Sequence, residues 1–473
     1  MENIETDICV IGAGSGGLSV AAGASQMGAS VVLLESGKMG GDCLNYGCVP
    51  SKAMIAAGHA AELFRTSGPF GVAQQEPVID FAQVHRHVHN VIGAIKPNDS
   101  VERFEGLGVH VIQAAGKFIG RREVVAGDAR IKAKYFVVAT GSSAAVPPIP
   151  GLADVHYLTN ETVFDQTECP EHLLIIGGGP VGCELAQAHR RLGAKITILE
   201  MFGILAKDDP EAADVVRRQL QREGITVRED IKVLGVSASD GGVAVEIEGD
   251  DGAETIAGSH VLVAAGRRPN LDGLNLDAAG IAHSTEGIEV DARLRTTNKR
   301  AFAIGDVAGA LQFTHAAGYH AGIVIRNALF KLPAKANYRA IPRVTYTDPE
   351  LANVGLTEAE AKDRLGGDIR ILRWPFAEND RAQAERRTEG FVKVIADRKK
   401  RIHGVCIVGP HAGELIMPWV LAVDKGLKVG AMASVVAPYP TLSEVSKRAS
   451  SSYFTASLFS ERTKKLVRFL MRF

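Results

Sequence analysis

Two thiols, Cys43 and Cys48, stand with four residues between them in the segment Gly40–Lys52, which reads GGDCLNYGCVPSK. A close cysteine pair is a metal half-site, a redox couple or a coincidence. A zinc site needs about four ligands. The chain has six cysteines, no second close pair, and His59 alone completes no site, so no metal is expected here. Thiol–disulfide exchange asks for a thiolate beside a second sulfur, which this spacing can supply. The neighbouring sequence bears on the choice, because the pair directly follows a stretch suited to holding a dinucleotide. A cofactor's reactive ring bound there could reach it.

That stretch occurs twice. ICVIGAGSGGLSVAAGASQMGASVVLLE is echoed by LLIIGGGPVGCELAQAHRRLGAKITILE, so that Gly12, Gly14, Gly17 and Glu35 correspond to Gly177, Gly179, Gly182 and Glu200. Each copy reads as a short apolar strand, a glycine turn, a helix of small and apolar residues, and a β-branched strand ending in Glu. The first glycine makes the turn, the second admits the pyrophosphate, and the third lets helix and strand pack closely. The helix N-terminus faces the phosphates and the carboxylate accepts from a ribose. A lone glycine turn is weak, but the whole unit repeated predicts two dinucleotide sites. The chemistry expected is electron transfer from one nucleotide cofactor to another.

The rest of the chain agrees with an α/β protein of about three domains. It has 473 residues with 53 Lys+Arg against 54 Asp+Glu, a balance that argues against a nucleic-acid binder. Its start, MENIETDICVIG, lacks the pattern of a signal peptide. The longest apolar stretch, Trp419 to Val436, is interrupted by Asp424, Lys425 and Lys428, so no membrane span is expected. A cytoplasmic protein is the expectation. Tyr135–Ala139, His260–Ala265 and Ala301–Ile304 read as further strands running into Thr140-Gly141-Ser142, Gly266-Arg267-Arg268-Pro269-Asn270 and Gly305-Asp306. Phe118–Lys132 and Val233–Ala257 alternate as β-meanders. From about Pro342 no glycine fingerprint appears, and a third domain with a different task is expected.

The string G-G-x-C-x-N-x-G-C-x-P-S-K resembles the active-site signature of the pyridine nucleotide–disulfide oxidoreductases, a family that includes dihydrolipoamide dehydrogenase, glutathione reductase and mercuric reductase. The resemblance runs along the whole chain, since Ala139-Thr140-Gly141, the Gly266–Asn270 string, Gly305-Asp306 and Pro440-Thr441-Leu442-Ser443-Glu444 come in the family's order. It implies two Rossmann-like dinucleotide-binding domains, for FAD and NAD, plus a C-terminal α+β dimerisation domain, assembled as a homodimer. The implied bounds are 1–150 with 276–341 for FAD, 151–275 for NAD(P), and 342–473 for the interface. The implied FAD contacts are Gly12, Gly14, Gly17, Glu35, Gly41, Lys52, Ala114, Thr140, Gly141, Ser142, Asp306, Gln312, Thr314 and His315. Those for NAD are Gly177, Gly179, Gly182, Glu184, Glu200, Val233 and Gly266. By family position Cys48 is the thiol nearest the flavin and Cys43 the interchange thiol that meets a small-molecule or lipoyl-type thiol/disulfide substrate. Lys52 corresponds to the lysine beside flavin N5, and Glu184 to its ion-pair partner. The activity implied is that of an FAD-dependent disulfide oxidoreductase resembling dihydrolipoamide dehydrogenase.

Three places qualify that picture. Relatives that oxidise dithiols carry a histidine before Pro-Thr, paired with a glutamate five residues on; here the histidine position is Tyr439 and the glutamate is Glu444. A phenol titrates near 10, so it is a poor base at neutral pH. Mercuric reductases also carry tyrosine near this place, which gives an alternative activity toward metal or thiol. They usually add a terminal cysteine pair, absent from the sequence LVRFLMRF. A flavin-bound redox sensor or electron-transfer partner is a further alternative. Second, the carboxylate of Glu200 suits a free ribose 2′-OH and repels a 2′-phosphate, and no positive charge comes after it until Lys207; NAD(H) is expected. Third, two surface features need a bland reading beside a sharp one. His85 and His89 could bind a metal but are expected to be a solvated helix face. The stretch from Arg462 to Phe473, with five basic residues among Leu466, Val467, Phe469, Leu470 and Met471, could lie on a membrane. Packing against the dimer is the expectation for it.

Overall fold

The structure, a computed structural model, describes residues 1–250, 252–309 and 311–473. The chain divides into two compact units, Met1–Gly177 with Ala188–Leu199 and Lys232–Asn337, and Gly178–Gln187 with Glu200–Ile231 and Tyr338–Phe473.

In the first unit the N-terminal strand Glu2–Ile11 lies between Val31–Leu34 and Ala129–Val138, parallel to both, with Cys9 opposite Val32 and Phe136. Val109–Ile112 extends the sheet on one side, and Ala301–Ala303 pairs in parallel with Ala129–Val138. A strand covered on both faces must be apolar at successive positions rather than alternate ones. Ile8, Cys9, Val10 and Ile11 are accordingly all buried. The helices Ser15–Gln26 and Thr314–Ala328 share one core with Ile8, Val10, Leu33 and Ile304. The other face packs Cys9, Phe118, Val124, Ile131 and Phe136, because Lys117–Gly120 and Glu123–Ala126 fold back antiparallel as expected from their alternation.

The second glycine pattern starts from a parallel set in the same unit, Lys195–Leu199, His172–Ile176, His260–Val263 and Tyr157–Leu158. The predicted meander forms the three strands Lys232–Ser239, Gly242–Gly249 and Gly252–Gly258.

The second unit carries an antiparallel sheet ordered Arg343–Thr345, Glu350–Gly355, Ile402–Gly409, Phe391–Asp397 and Ile369–Pro375. Its core gathers Val392, Val394, Val405, Ile407, Phe376 and Trp419, with Val445 and Ala449 of the helix Glu444–Leu458. The Trp419 indole N–H donates to Ser446 Oγ at 3.0 Å, so the largest buried side chain keeps its polar atom paired. The apolar stretch around Trp419 is two short helices, Met417–Asp424 and Val429–Ser434. Among the described residues no helix is long and apolar enough to cross a membrane.

Candidate active site

The first glycine turn has the geometry a pyrophosphate requires. Gly12 sits at φ +105°, and a Cβ there would stand 2.4 Å from the Ala139 carbonyl oxygen, so only glycine makes the turn. On Gly17 a Cβ would stand 1.9 Å from the Gly12 oxygen, which is the close helix–strand contact expected. Gly14 caps the helix Ser15–Gln26 without a side-chain bond, leaving first-turn N–H groups for anionic oxygens. Glu35 spans the turn, accepting from Ala13 N at 2.6 Å and Gly37 N at 2.7 Å. These residues fit a dinucleotide.

The cysteine segment folds onto this turn. A Cβ on Gly41 would lie 2.7 Å from Gly14 Cα, so the two backbones touch where neither has a side chain. Cys43 falls within the short helix Gly41–Asn45, whereas Cys48 is the first residue of the 19-residue helix Cys48–Thr66. The position matters, because a helix N-terminus stabilises a thiolate. Cys48 Sγ lies 3.4 Å from Thr314 Oγ1. Its pKa is lowered to about 6, chiefly by the hydrogen bond with Cys43, with help from Thr314 and the Lys52 charge against the cost of burial. The Cys43 thiol is pushed up, first by that same hydrogen bond, then by burial and the neighbouring Cys48 charge. In the dithiol form both shifts favour the proton on Cys43 and the thiolate on Cys48. Lys52 comes one turn later, its Nζ 3.4 Å from Ser51 Oγ.

A polar network without a local sequence signature fixes the loops around the pair. The Arg267 guanidinium donates to Ser142 Oγ at 2.7 Å and lies 3.2 Å from Asp42, the residue just before Cys43. Ser142 Oγ in turn donates to Asp306 Oδ2 at 2.5 Å, and burial raises the pKa of that carboxyl. Asn160 holds Asp42 from another loop at 2.9 Å. Buried His320 accepts from Gly305 N at 3.1 Å and so seats the Gly305-Asp306 turn. Thr140 and Asn270 exchange side chain-to-carbonyl bonds at 2.8 and 3.0 Å around Gly141. Of these, Ser142, Asp306, Thr140 and Gly141 were candidates; Asp42, Arg267, Asn160 and His320 were not. Only Arg267 had a signal, its place in the Gly266–Asn270 string.

The remaining candidates are spread over both turns. Ala114 comes after the strand Val109–Ile112 and bonds back to Ile112 O at 3.0 Å. Gln312 leads into the helix opened by Thr314, and His315 stacks on Phe313 with centroids 5.2 Å apart. At the second turn Gly177 has φ +115° and stands against Ala264 O as Gly12 does against Ala139 O. Glu200 accepts from Gly178 N at 2.5 Å and Phe202 N at 3.0 Å, repeating Glu35. A Cβ on Gly179 would meet nothing within 4 Å, nor would one on Gly266. Gly182 lies in the helix Pro180–Arg191 and Val233 in the strand Lys232–Ser239. Buried Glu184 accepts from Tyr346 N at 2.9 Å. This turn too fits a dinucleotide.

Tyr439 is 71% exposed, and its hydroxyl donates to Asp380 Oδ2 at 3.0 Å. That bond, and the Asp380 charge, raise the phenol pKa further, with a smaller push from Glu444. Glu444 is the first residue of its helix. Asp380 was not a candidate, since nothing in its local sequence points to position 439. The His85 and His89 rings lie 4.0 Å apart, yet among the described residues no three His, Cys, Asp or Glu side chains are grouped to hold a metal.

Residues 6–321 match the pyridine nucleotide-disulphide oxidoreductase profile, and residues 341–450 match the dimerisation domain of the same group. A mercuric reductase from Bacillus cereus is 34% identical over 445 residues, covering 93% of this chain and 70% of that protein. A dihydrolipoyl dehydrogenase from Geobacillus stearothermophilus is 36% identical over 460 residues, covering 94% of this chain and 96% of the relative. The crystal structure of LpdA from Mycobacterium tuberculosis aligns with TM-score 0.87 at 28% identity, covering 95% and 99% of the two chains.

Proposed function

The chain belongs to the pyridine nucleotide-disulphide oxidoreductases, enzymes that use FAD and NAD(P)H, and on that premise we propose that it reduces a disulfide substrate with electrons from NADH. The net reaction is NADH + H⁺ + RSSR → NAD⁺ + 2 RSH. The observation that supports this reading is the cysteine segment folded onto the first glycine turn, Gly41 against Gly14 and Cys48 heading its helix, with the two thiols shifted in opposite directions. FAD, when bound by the first turn, links nicotinamide hydride to the dithiol. Cys43, once deprotonated by the adjacent Cys48 thiolate, attacks one substrate sulfur and releases the other as a thiolate. Cys48 then loses its proton to solvent and attacks the Cys43 sulfur. The second substrate thiolate leaves and the Cys43–Cys48 disulfide forms. Each released thiolate takes a proton, so charges and atoms balance.

The three-part division at 1–150 with 276–341, 151–275 and 342–473 belongs to this proposal, as do a cytoplasmic setting and the choice of NAD(H) over NADP(H). The dimerisation domain indicates a homodimer. The roles given to Lys52, Glu184, Tyr439 and Glu444 rest on family position. A second reading has its own support: Tyr439, held protonated by Asp380, lacks the base expected for dithiol oxidation. Hg(II) as substrate would need two thiolates and no such base. NADH consumption measured with lipoamide, glutathione disulfide, Hg(II) and a quinone separates these readings. Lipoamide-type turnover that needs Cys43 is expected; turnover with Hg(II) alone would replace the disulfide reading.

A further inference from the structure

The helix Glu461–Leu470 is unlike the other long helices of the second unit, because it contains no buried residue. Leu466, Val467, Phe469 and Leu470 are each about half exposed, at 56, 47, 54 and 57%. At 100° per residue these four fall on one side of the helix, and Phe473 continues it, its ring 5.5 Å from Phe469. Lys464, Lys465 and Arg468 fall on the other side, and Arg472 extends that side. Glu461, bonded to Lys464 at 2.8 Å, is the one acid of this segment. Just before the helix, Leu458 and Phe459 are also exposed.

Two occupants could cover such a face, and two observations choose between them. The matched dimerisation domain covers residues 341–450, and the helix lies beyond that match. A second copy would also bring an identical set of cations to the same place. The chain as a whole has a net charge of −1, yet this short segment concentrates five positive charges, four of them (Lys464, Lys465, Arg468 and Arg472) on the side away from the apolar face. That polar face matches a negatively charged surface, and the apolar face opposite needs an apolar medium. An anionic lipid surface offers both at one boundary.

We propose that residues 458–473 bind the surface of an anionic phospholipid bilayer, with Phe469, Leu470 and their neighbours in the acyl boundary and Lys464, Lys465 and Arg468 at the headgroups. The chain is then a peripheral membrane protein held by one amphipathic helix. This departs from the sequence expectation that the helix packs on the dimer. It is independent of the disulfide chemistry proposed above.

The test is co-sedimentation of the FAD-loaded full chain with vesicles of phosphatidylcholine containing 30% phosphatidylglycerol, against vesicles of phosphatidylcholine alone. Binding is expected only to the anionic vesicles, weakening as salt rises. Each surface cation is worth roughly five-fold in affinity, so K464Q/K465Q/R468Q should weaken binding by on the order of 100-fold. F469S/L470S should abolish it. Both variants should keep wild-type NADH–ferricyanide activity, which reports folding, and a wild-type sedimentation coefficient. Equal binding to both vesicle types overturns the proposal, as does no binding at low salt. Loss of the dimer in F469S/L470S without any lipid binding by wild type assigns the face to a second copy instead.

Discussion

The two glycine turns share a backbone and differ in what stands over them. Gly12 and Gly177 have φ of +105° and +115°, and a Cβ on either would stand 2.4 Å from a carbonyl of the neighbouring crossover strand. Glu35 and Glu200 both reach back to an amide of their own turn. Over the first turn, however, the cysteine-bearing segment closes until Gly41 touches Gly14; over the second, Ile204 and Glu200 crowd Gly178 but Gly179 has open space. A covered turn suits a cofactor that stays in place while a redox pair works beside it. An open turn suits a nucleotide that arrives, reacts and leaves. The same sequence unit is thus put to two uses, and the cysteine segment, present after the first copy alone, makes the difference.

The largest effects should come from removing what is special to the covered turn. Cys43→Ser and Cys48→Ser should each lower disulfide reduction by on the order of 10⁴-fold or more, because neither thiol can complete the exchange alone. NADH–ferricyanide activity should stay near wild type in both. In the reduced wild type, iodoacetamide should alkylate Cys48 at neutral pH, with a rate that falls as pH drops through about 6, where its thiolate is lost. Cys43 should stay unmodified there, since its proton is held. Peptide mapping after a short alkylation checks where the proton sits; Cys43 labelled first would place the thiolate on Cys43 instead of Cys48.

Glycine substitutions at the two turns sharpen the contrast directly. Gly41→Ala adds a methyl at φ +60° and 2.7 Å from Gly14 Cα. The backbone conformation alone costs about 1–2 kcal/mol, and the contact must be relieved by moving the redox segment. Flavin content and thermal unfolding temperature should both fall. Gly179→Ala meets nothing in the protein, so stability and flavin content should hold. Its methyl would instead crowd an incoming pyrophosphate and raise KM for NADH about ten-fold, or about 1.4 kcal/mol. If both variants lose flavin equally, the two turns are not divided in this way.

In the proposed NAD(H) reading, Glu200 sets the choice of nucleotide at the open turn. Its carboxylate accepts from Gly178 and Phe202 N–H groups, so it is fixed in place at the turn. A 2′-phosphate beside it suffers like-charge repulsion, and kcat/KM should favour NADH over NADPH by roughly 10–100-fold. Glu200→Gln keeps an acceptor oxygen and removes the charge, so the ratio should narrow mainly through KM for NADPH.

How much of this was legible depends on how far apart the interacting residues are. The glycine turns, the Glu spacing and the cysteine pair each lie within a few tens of residues. Local strand, turn and helix preferences decide them, so the pattern could be read directly. The strands around them were legible for the same reason: parallel strands as apolar runs, the meanders as alternation. Asp42, in the short helix Gly41–Asn45, and Arg267, in the strand Arg267–Pro269, are brought together only when the unit folds, and neither segment's own sequence requires the other. Asp380 and Tyr439 meet in the same way. The burial of Asp306, which raises its pKa, likewise depends on the whole unit. The exposed C-terminal helix was legible as amphipathic, but periodicity alone does not say what covers a face.

Tyr439 should give the smallest effect, and it sets the limit of the comparison because it lies away from both turns in sequence. Its phenol is an acid whose neutral form donates to Asp380 and whose anion would face that carboxylate. The Asp380 bond therefore raises the pKa, and the phenol stays protonated as pH rises through the neutral and mildly alkaline range. It can donate a hydrogen bond there but cannot serve as a base. Tyr439→Phe should thus leave flavin reduction by NADH unchanged and lower turnover of the natural oxidant by no more than about ten-fold, the worth of one hydrogen bond. Any rise in dihydrolipoamide oxidation between pH 7 and 9 should persist in Tyr439→Phe, because it would come from the substrate thiol. Asp380→Asn removes the charge that penalises the phenolate, so its alkaline limb should move to lower pH. Tyr439→His supplies a group that titrates near neutrality, and dihydrolipoamide oxidation at pH 7 should gain on the order of ten-fold, part of the 10²–10⁴ a general base can contribute. Stopped-flow flavin reduction beside steady-state pH profiles of the three variants measures each term. Should the alkaline rise vanish in Tyr439→Phe, the phenol titrates after all, and Asp380 does not hold it in the working dimer.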